Sequence, residues 1–191
     1  MARTLPPETL RSLAITLEVG GQAELGALAE QLLSAGYTRC EQVEGVGQFA
    51  LRGGILDVFS PLMDQPVRCE FFDDEIDSMG AFDPGTQRRI RNVSSARILP
   101  AAEVLPQFTP GGYGGLLEGL DRLISQAKRR KGNETLVQTL EEDRERLAAS
   151  TAFPAMDRYI ALIYPVMATA ADYFPEDAVV VLSESPRVAE R

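Results

Sequence analysis

At 191 residues, 45% hydrophobic and 25% charged, the chain is long enough for one or two domains with a real core, and its composition excludes wholesale disorder. Its formal net charge of -9 is shared by both halves, which argues against tight nucleic-acid binding. Histidine is absent, removing the commonest general base and metal ligand, and Cys40 and Cys69 have neither zinc-site nor redox-pair spacing. No signal peptide and no long apolar run is present, so a cytoplasmic protein with no membrane partner is expected.

In chain order, residues 12–19 (SLAITLEV) read as a strand ended by Gly20-Gly21. Leu25, Leu28, Leu32 and Leu33 recur at helical spacing, with Gly36 at the C-terminal stop. Residues 37–44 are a weak strand candidate. Residues 48–52 and 55–59 flank Gly53-Gly54, a two-residue hairpin signal. In that register Phe49 faces Val58 and Leu51 faces Leu56 on a core side. Ala50 faces Asp57 and Arg52 faces Ile55 on the other. After a loop over 61–66 comes the strand Val67–Phe72, then an acidic turn at 73–77 and a strand over 76–82. Asp83-Pro84-Gly85 is a turn, and residues 86–91 and 93–99 are short strand candidates. Beyond Pro100 the pattern becomes helical. Leu116, Leu117, Leu120 and Leu123 form one stripe and Leu136, Leu140 and Leu147 another, separated by Lys131-Gly132-Asn133. The apolar run 178–182 (AVVVL) suits a buried parallel strand, and the chain reads as a piece of something longer.

Alternation along Val67–Phe72 puts Val67, Cys69 and Phe71 on the core face and Arg68, Glu70 and Phe72 on the outer one. Arginine and aromatic residues are the side chains that anchor protein interfaces, so this face is a candidate partner surface. The blander readings stay open at this point. Arg68 is a solvated arginine balancing Glu70, Arg52 flanks a tight turn, and a bulge turns Phe72 inward beside Phe71. Arg88, Arg89 and Arg91 resemble a basic stripe, read as a solvated face or a secondary partner contact. Walker A, Gly-x-Ser-x-Gly and HExxH motifs are all missing. Asp73, Asp74, Glu75 and Asp77 lack EF-hand spacing and read as a solvated turn. No catalytic, cofactor-binding or metal-binding residues are assigned, and the segment is read as non-enzymatic.

Several ordered blocks carry a family resemblance: RGGILDVF from Arg52, PVR from Pro66, EFFDDEIDS from Glu70, FDPGTQR from Phe82 and ILPA from Ile98. Later blocks are FPAMDRY from Phe153 and DYFPED from Asp172. Together they resemble the UvrB-homology region of the Mfd family, the bacterial transcription-repair coupling factors. The likeness covers most of the chain but is poor over 107–151. UvrB itself shares the Arg-Gly, Glu-Phe-Phe and Phe-Asp-Pro pieces; Gly54 and Thr86-Gln87-Arg88 favour Mfd. Ser60, Asp73 and Arg89 depart from the pattern.

The resemblance implies an α+β fold. Residues 1–100 would form a mainly antiparallel UvrA-binding module similar to UvrB domain 2, with a packing helix. Residues 101–191 would form a helical segment with one apolar strand from an incomplete UvrB domain 1b-like, helicase-like region. It implies recruitment of UvrA for nucleotide excision repair at stalled RNA polymerase, with RNA polymerase and DNA as further partners of the longer protein. ATP and Mg would be used only in the translocase part of that protein. The family's UvrA-contacting positions carry over onto Arg52, Arg68 and Phe72. Asp57 and Glu70 on the same face are expected to orient the arginines through weak surface ion pairs, with Arg88 as a further supporting residue. Two alternatives remain: a fragment of a UvrB-type excision-repair helicase, and a DNA-binding module.

Overall fold

The computed structural model describes residues 3–149, 156–166, 168–175, 177–179 and 181. It is a mixed α+β structure built around a six-stranded, mainly antiparallel sheet. The chain opens with β1 (Arg3–Thr4), α1 (Pro7–Leu13), β2 (Ile15–Glu18), α2 (Leu25–Ser34) and β3 (Thr38–Arg39). It continues through β4 (Gln48–Arg52), β5 (Ile55–Val58), β6 (Val67–Phe72), β7 (Glu75–Phe82), β8 (Arg89–Asn92) and β9 (Ser95–Ile98). Then come α3 (Gly112–Lys128), α4 (Glu134–Ala148), α5 (Ile160–Ile163) and β10 (Ala168–Thr169). Strands β3 to β8 lie side by side in sequence order, with only β3 and β4 parallel.

The β4–β5 hairpin has the register that the Gly53-Gly54 loop and alternation predict: Phe49 opposite Val58, Ala50 opposite Asp57, Leu51 opposite Leu56 and Arg52 opposite Ile55. Gly53 supplies the positive φ (+57°) that a type II′ turn needs at its first central position. On the core face Phe49, Leu56, Val58, Val67, Cys69 and Met79 meet Leu28, Ala29 and Leu32 of α2. Glu24 caps α2, its carboxylate accepting hydrogen bonds from the amides of Gly26 and Ala27. Gly36 ends it at φ +85°, and the Tyr37 amide returns to the Leu32 carbonyl at 3.0 Å. The Tyr37 hydroxyl donates to the Leu99 carbonyl, and burial pushes the phenol up to about 12.

The ends of this region differ from the sequence expectation. Residues 12–19 are not one strand: helix α1 runs to Leu13 and β2 starts at Ile15. Pro7 at the first helical position and Glu8 in the first turn favour that start. Strand β2 pairs with β9, from Ile15 opposite Ile98 to Glu18 opposite Ser95, a long-range partnership that no local pattern announces. Only Thr38–Arg39 of the 37–44 candidate is strand. Strand β8 begins at Arg89 because residues 83–87 close a capped turn, in which Asp83 Oδ1 accepts from the Thr86 amide (2.7 Å) and hydroxyl (2.9 Å).

The second half is a helical pair. Leu116, Leu120 and Ile124 of α3 pack with Leu140 and Leu147 of α4 and with Tyr159 and Ile163. The two predicted leucine stripes thus face each other, except that Leu136 stays exposed. Buried Asp143 accepts a hydrogen bond from the Tyr159 hydroxyl at 2.6 Å and one from Arg158 Nη1 at 3.1 Å. Of the apolar run 178–182, Ala178, Val179 and Val181 are exposed and outside any strand, while Val180 and Leu182 lie outside the described residues. The FPAMDRY block begins outside them too. Among the described residues no helix is long and apolar enough to cross a membrane.

Two glycines separate the cost of a left-handed backbone from the cost of crowding. Gly36 and Gly132 both sit at φ +85°, but a Cβ on Gly36 would lie 2.8 Å from Ala102 Cβ, whereas one on Gly132 meets nothing within 4 Å. Gly132→Ala should cost roughly 1 kcal/mol. Gly36→Ala should cost that plus about 1–3 kcal/mol for overpacking. Urea denaturation of the two variants measures the difference, and equal losses would contradict the packing at Ala102.

Candidate interaction surface

The outer face of the sheet is organised by one carboxylate. Asp57 lies on β5 between Ala50 of β4 and Arg68 of β6. Although it is flanked by charged residues, it is 0% exposed. The reason is a second small core on this side, where Val43, Ala50, Phe59 and Phe82 pack together around the same rows. Asp57 Oδ1 accepts a hydrogen bond from Arg68 Nε at 2.7 Å. Its Oδ2 accepts from Arg68 Nη2 at 2.8 Å and from Arg52 Nη2 at 2.9 Å. One negative charge therefore holds two positive ones.

Arg68 is the more enclosed arginine, its side chain 19% exposed against 48% for Arg52. Its guanidinium lies over the Phe82 ring, 4.6 Å from the centroid. The far edge reaches Gln87, with Nη2 donating to Oε1 at 3.2 Å and Nη1 to the backbone carbonyl at 3.4 Å. The Asp57 hydrogen bonds, opposed by burial, raise the Arg68 pKa above its ordinary value. Arg52 makes one bond to Asp57 and presents the rest of its guanidinium outward.

The expected surface ion pairs need correcting in two respects. The Asp57 pairs are anchored in a buried carboxylate, so the small values of exposed pairs do not apply. Glu70 pairs with neither Arg52 nor Arg68. It accepts from Arg89 Nη2 at 2.8 Å and from the Ser78 hydroxyl at 2.9 Å. Gly80 makes this reach possible, because a Cβ there would fall 2.6 Å from Arg89 Nε.

Phe72 ends β6 and is 76% exposed. A register shift does occur between Glu70 and Phe71, but it leaves Phe71 partly buried against the main core and Phe72 outside. The hairpin tip is tucked against this corner. The Phe71 amide donates to the Gly54 carbonyl at 2.7 Å, and a Cβ on Gly54 would lie 2.9 Å from the Phe71 carbonyl oxygen. Arg52, Ile55 and Phe72 consequently share one end of the face. Arg88 is exposed, and its side chain has no hydrogen bond or ion pair among the described residues. Arg88, Arg89 and Arg91 form no single stripe. Arg89 sits opposite Phe82 and Arg91 opposite Ala81, adjacent residues that point to opposite faces. Gln87 and Phe82 shape the surface without having been singled out for it, and Arg89 does so through Glu70 rather than as part of a basic stripe. An apolar set on the charged face (Ala50, Phe59, Phe82) was the available signal for the second core.

Because Asp57 is buried and Glu70 is not, their removal should have very different effects. Asp57→Ala leaves the enclosed Arg68 without its carboxylate and should destabilise by about 3–5 kcal/mol. Glu70→Ala should cost at most about 1 kcal/mol. Chemical denaturation measures both, and similar small losses would contradict the buried-carboxylate geometry.

Residues 15–104 match the family model described as the UvrB interaction domain. The chain is 32% identical to the transcription-repair-coupling factor of Bacillus subtilis (strain 168) over 191 residues, 98% of this chain and 16% of that protein. It is 46% identical to the one from Myxococcus xanthus over 103 residues, 54% of this chain and 9% of that protein. It is 34% identical to the one from Staphylococcus aureus (strain MRSA252) over 189 residues, 97% of this chain and 16% of that protein. The chain thus spans about one sixth of the length of the longest-matching of these curated relatives. Residues 15–104, which contain the whole charged face, are thus similar to the UvrB interaction domain, within a chain similar over nearly its full length to part of the transcription-repair-coupling factors.

Proposed function

We propose that the face carrying Arg52, Arg68 and Phe72 is a docking surface for UvrA, and that the chain is a non-catalytic module recruiting UvrA to sites of stalled transcription. The observation that carries this reading is the pairing of a preformed cationic patch with an exposed aromatic. Asp57, 0% exposed, holds both arginines in place beneath the surface, and Phe72, 76% exposed, stands at the same end of the sheet. The two arginines are held by Asp57 before any partner arrives, which lowers the entropic cost of binding.

The two arginines contribute differently. A guanidinium has five N–H donors. Arg68 commits Nε and Nη2 to Asp57 and Gln87 and turns Nη1 toward the Gln87 carbonyl, so little remains for a partner. Arg52 commits one Nη2 bond and keeps the rest. A partner carboxylate therefore meets Arg52, while Phe72 enters an apolar depression and Arg68 supports the patch from below. Repair coupling, RNA polymerase and DNA contacts, and ATP-driven translocation would belong to the longer cytoplasmic protein of which this chain is the recruiting piece.

Isothermal titration of UvrA into the 191-residue chain tests the assignment. Arg52→Ala and Phe72→Ala should each weaken binding by at least ~2 kcal/mol, roughly 30-fold, without loss of fold. Wild-type affinity in both variants would overturn it. Titration with duplex DNA at moderate salt is the counter-test, and tight binding there would favour a nucleic-acid surface instead.

A further inference from the structure

Gln87 has a backbone conformation that its residue type does not favour. Its φ is +61°, and among the described residues the only other non-glycine with positive φ is Asp73 at +53°. A left-handed backbone costs an L-residue free energy, and glutamine lacks the short side chain with which aspartate or asparagine offsets it. Something must hold Gln87 there.

Its amide group has a partner at every side. Nε2 donates to the Val43 carbonyl at 3.1 Å and to the Pro84 carbonyl at 2.7 Å. Oε1 accepts from Arg68 Nη2 at 3.2 Å, and the residue's own carbonyl faces Arg68 Nη1 at 3.4 Å. The backbone amide closes the turn onto the Asp83 carbonyl at 2.7 Å. The left-handed turn thus brings side chain and carbonyl to the same guanidinium. Arg68 is gripped on one edge by Asp57, on the other by Gln87, and on one face by Phe82.

We infer that Gln87 is a positioning residue for the docking surface, fixing the guanidinium of Arg68 and through it the direction of Arg52. The two arginines share Asp57 Oδ2, so the orientation of Arg68 sets which side of that oxygen Arg52 can approach. Gln87 itself need not touch the partner. This inference rests on the reading of the face as the UvrA-docking surface.

Gln87→Gly tests it, because glycine keeps the left-handed turn accessible while removing the amide. Two readouts apply to the folded 191-residue chain, with Phe72→Ala run beside it. Proton exchange of the Arg68 Nε–H, followed by NMR, should be several-fold faster in Gln87→Gly than in wild type. UvrA affinity should fall about tenfold. An unchanged exchange rate, or wild-type UvrA affinity in Gln87→Gly while Phe72→Ala weakens binding, would overturn the role of Gln87 and leave the docking reading standing. Wild-type affinity in Phe72→Ala would overturn the docking reading, and the inference with it.

Discussion

One buried carboxylate determines what the outer face of this sheet can be. Asp57 is placed by the middle strand of three, β4, β5 and β6, and each neighbour supplies an arginine to it. Burying a charge costs several kcal/mol unless it is paired and fully hydrogen-bonded. Asp57 meets that condition through its two arginines, and Arg68 is held in turn by Phe82 and Gln87. The patch is therefore a cooperative unit in which loss of one member exposes the desolvation cost of the others. A surface of independently solvated arginines would have no such dependence.

Most of the fold near this face was legible in the sequence, for reasons that can be named. A two-residue Gly-Gly loop admits one hairpin register, and period-two alternation then assigns every β4 and β5 side chain to a face. Helical spacing and a glycine stop marked α2 in the same way. Two things were missed. The pairing of β2 with β9 joins segments far apart in sequence, and the helix at Pro7–Leu13 carries only the short local signal of Pro7 and Glu8, its last two residues reading as part of the strand that follows.

The make-up of this face was legible in the sequence, but not its depth. Arg52, Arg68, Asp57, Glu70 and Phe72 all lie on the face to which alternation sends them. Charge alone, however, made that face look wet. Phe59 and Phe82 share it, and Val43 arrives from the loop before β4 to pack with them. Burial of a polar residue depends on such third parties, which pairwise pattern reading does not include. The same omission turned Glu70 into a partner of the wrong arginines, since Arg89 reaches it only across the side-chain gap at Gly80.

Every residue that builds the surface comes from within residues 43–89, inside the UvrB interaction domain match and apart from the α3–α4 pair. If the face docks UvrA as proposed, a residue that no partner can touch governs partner binding. Calorimetric titration of UvrA against Asp57→Asn, with folding checked by circular dichroism and exposed Asp64→Asn as control, tests this most directly. Asp57→Asn should bind at least about tenfold more weakly while Asp64→Asn binds like wild type. Wild-type affinity in folded Asp57→Asn would contradict it.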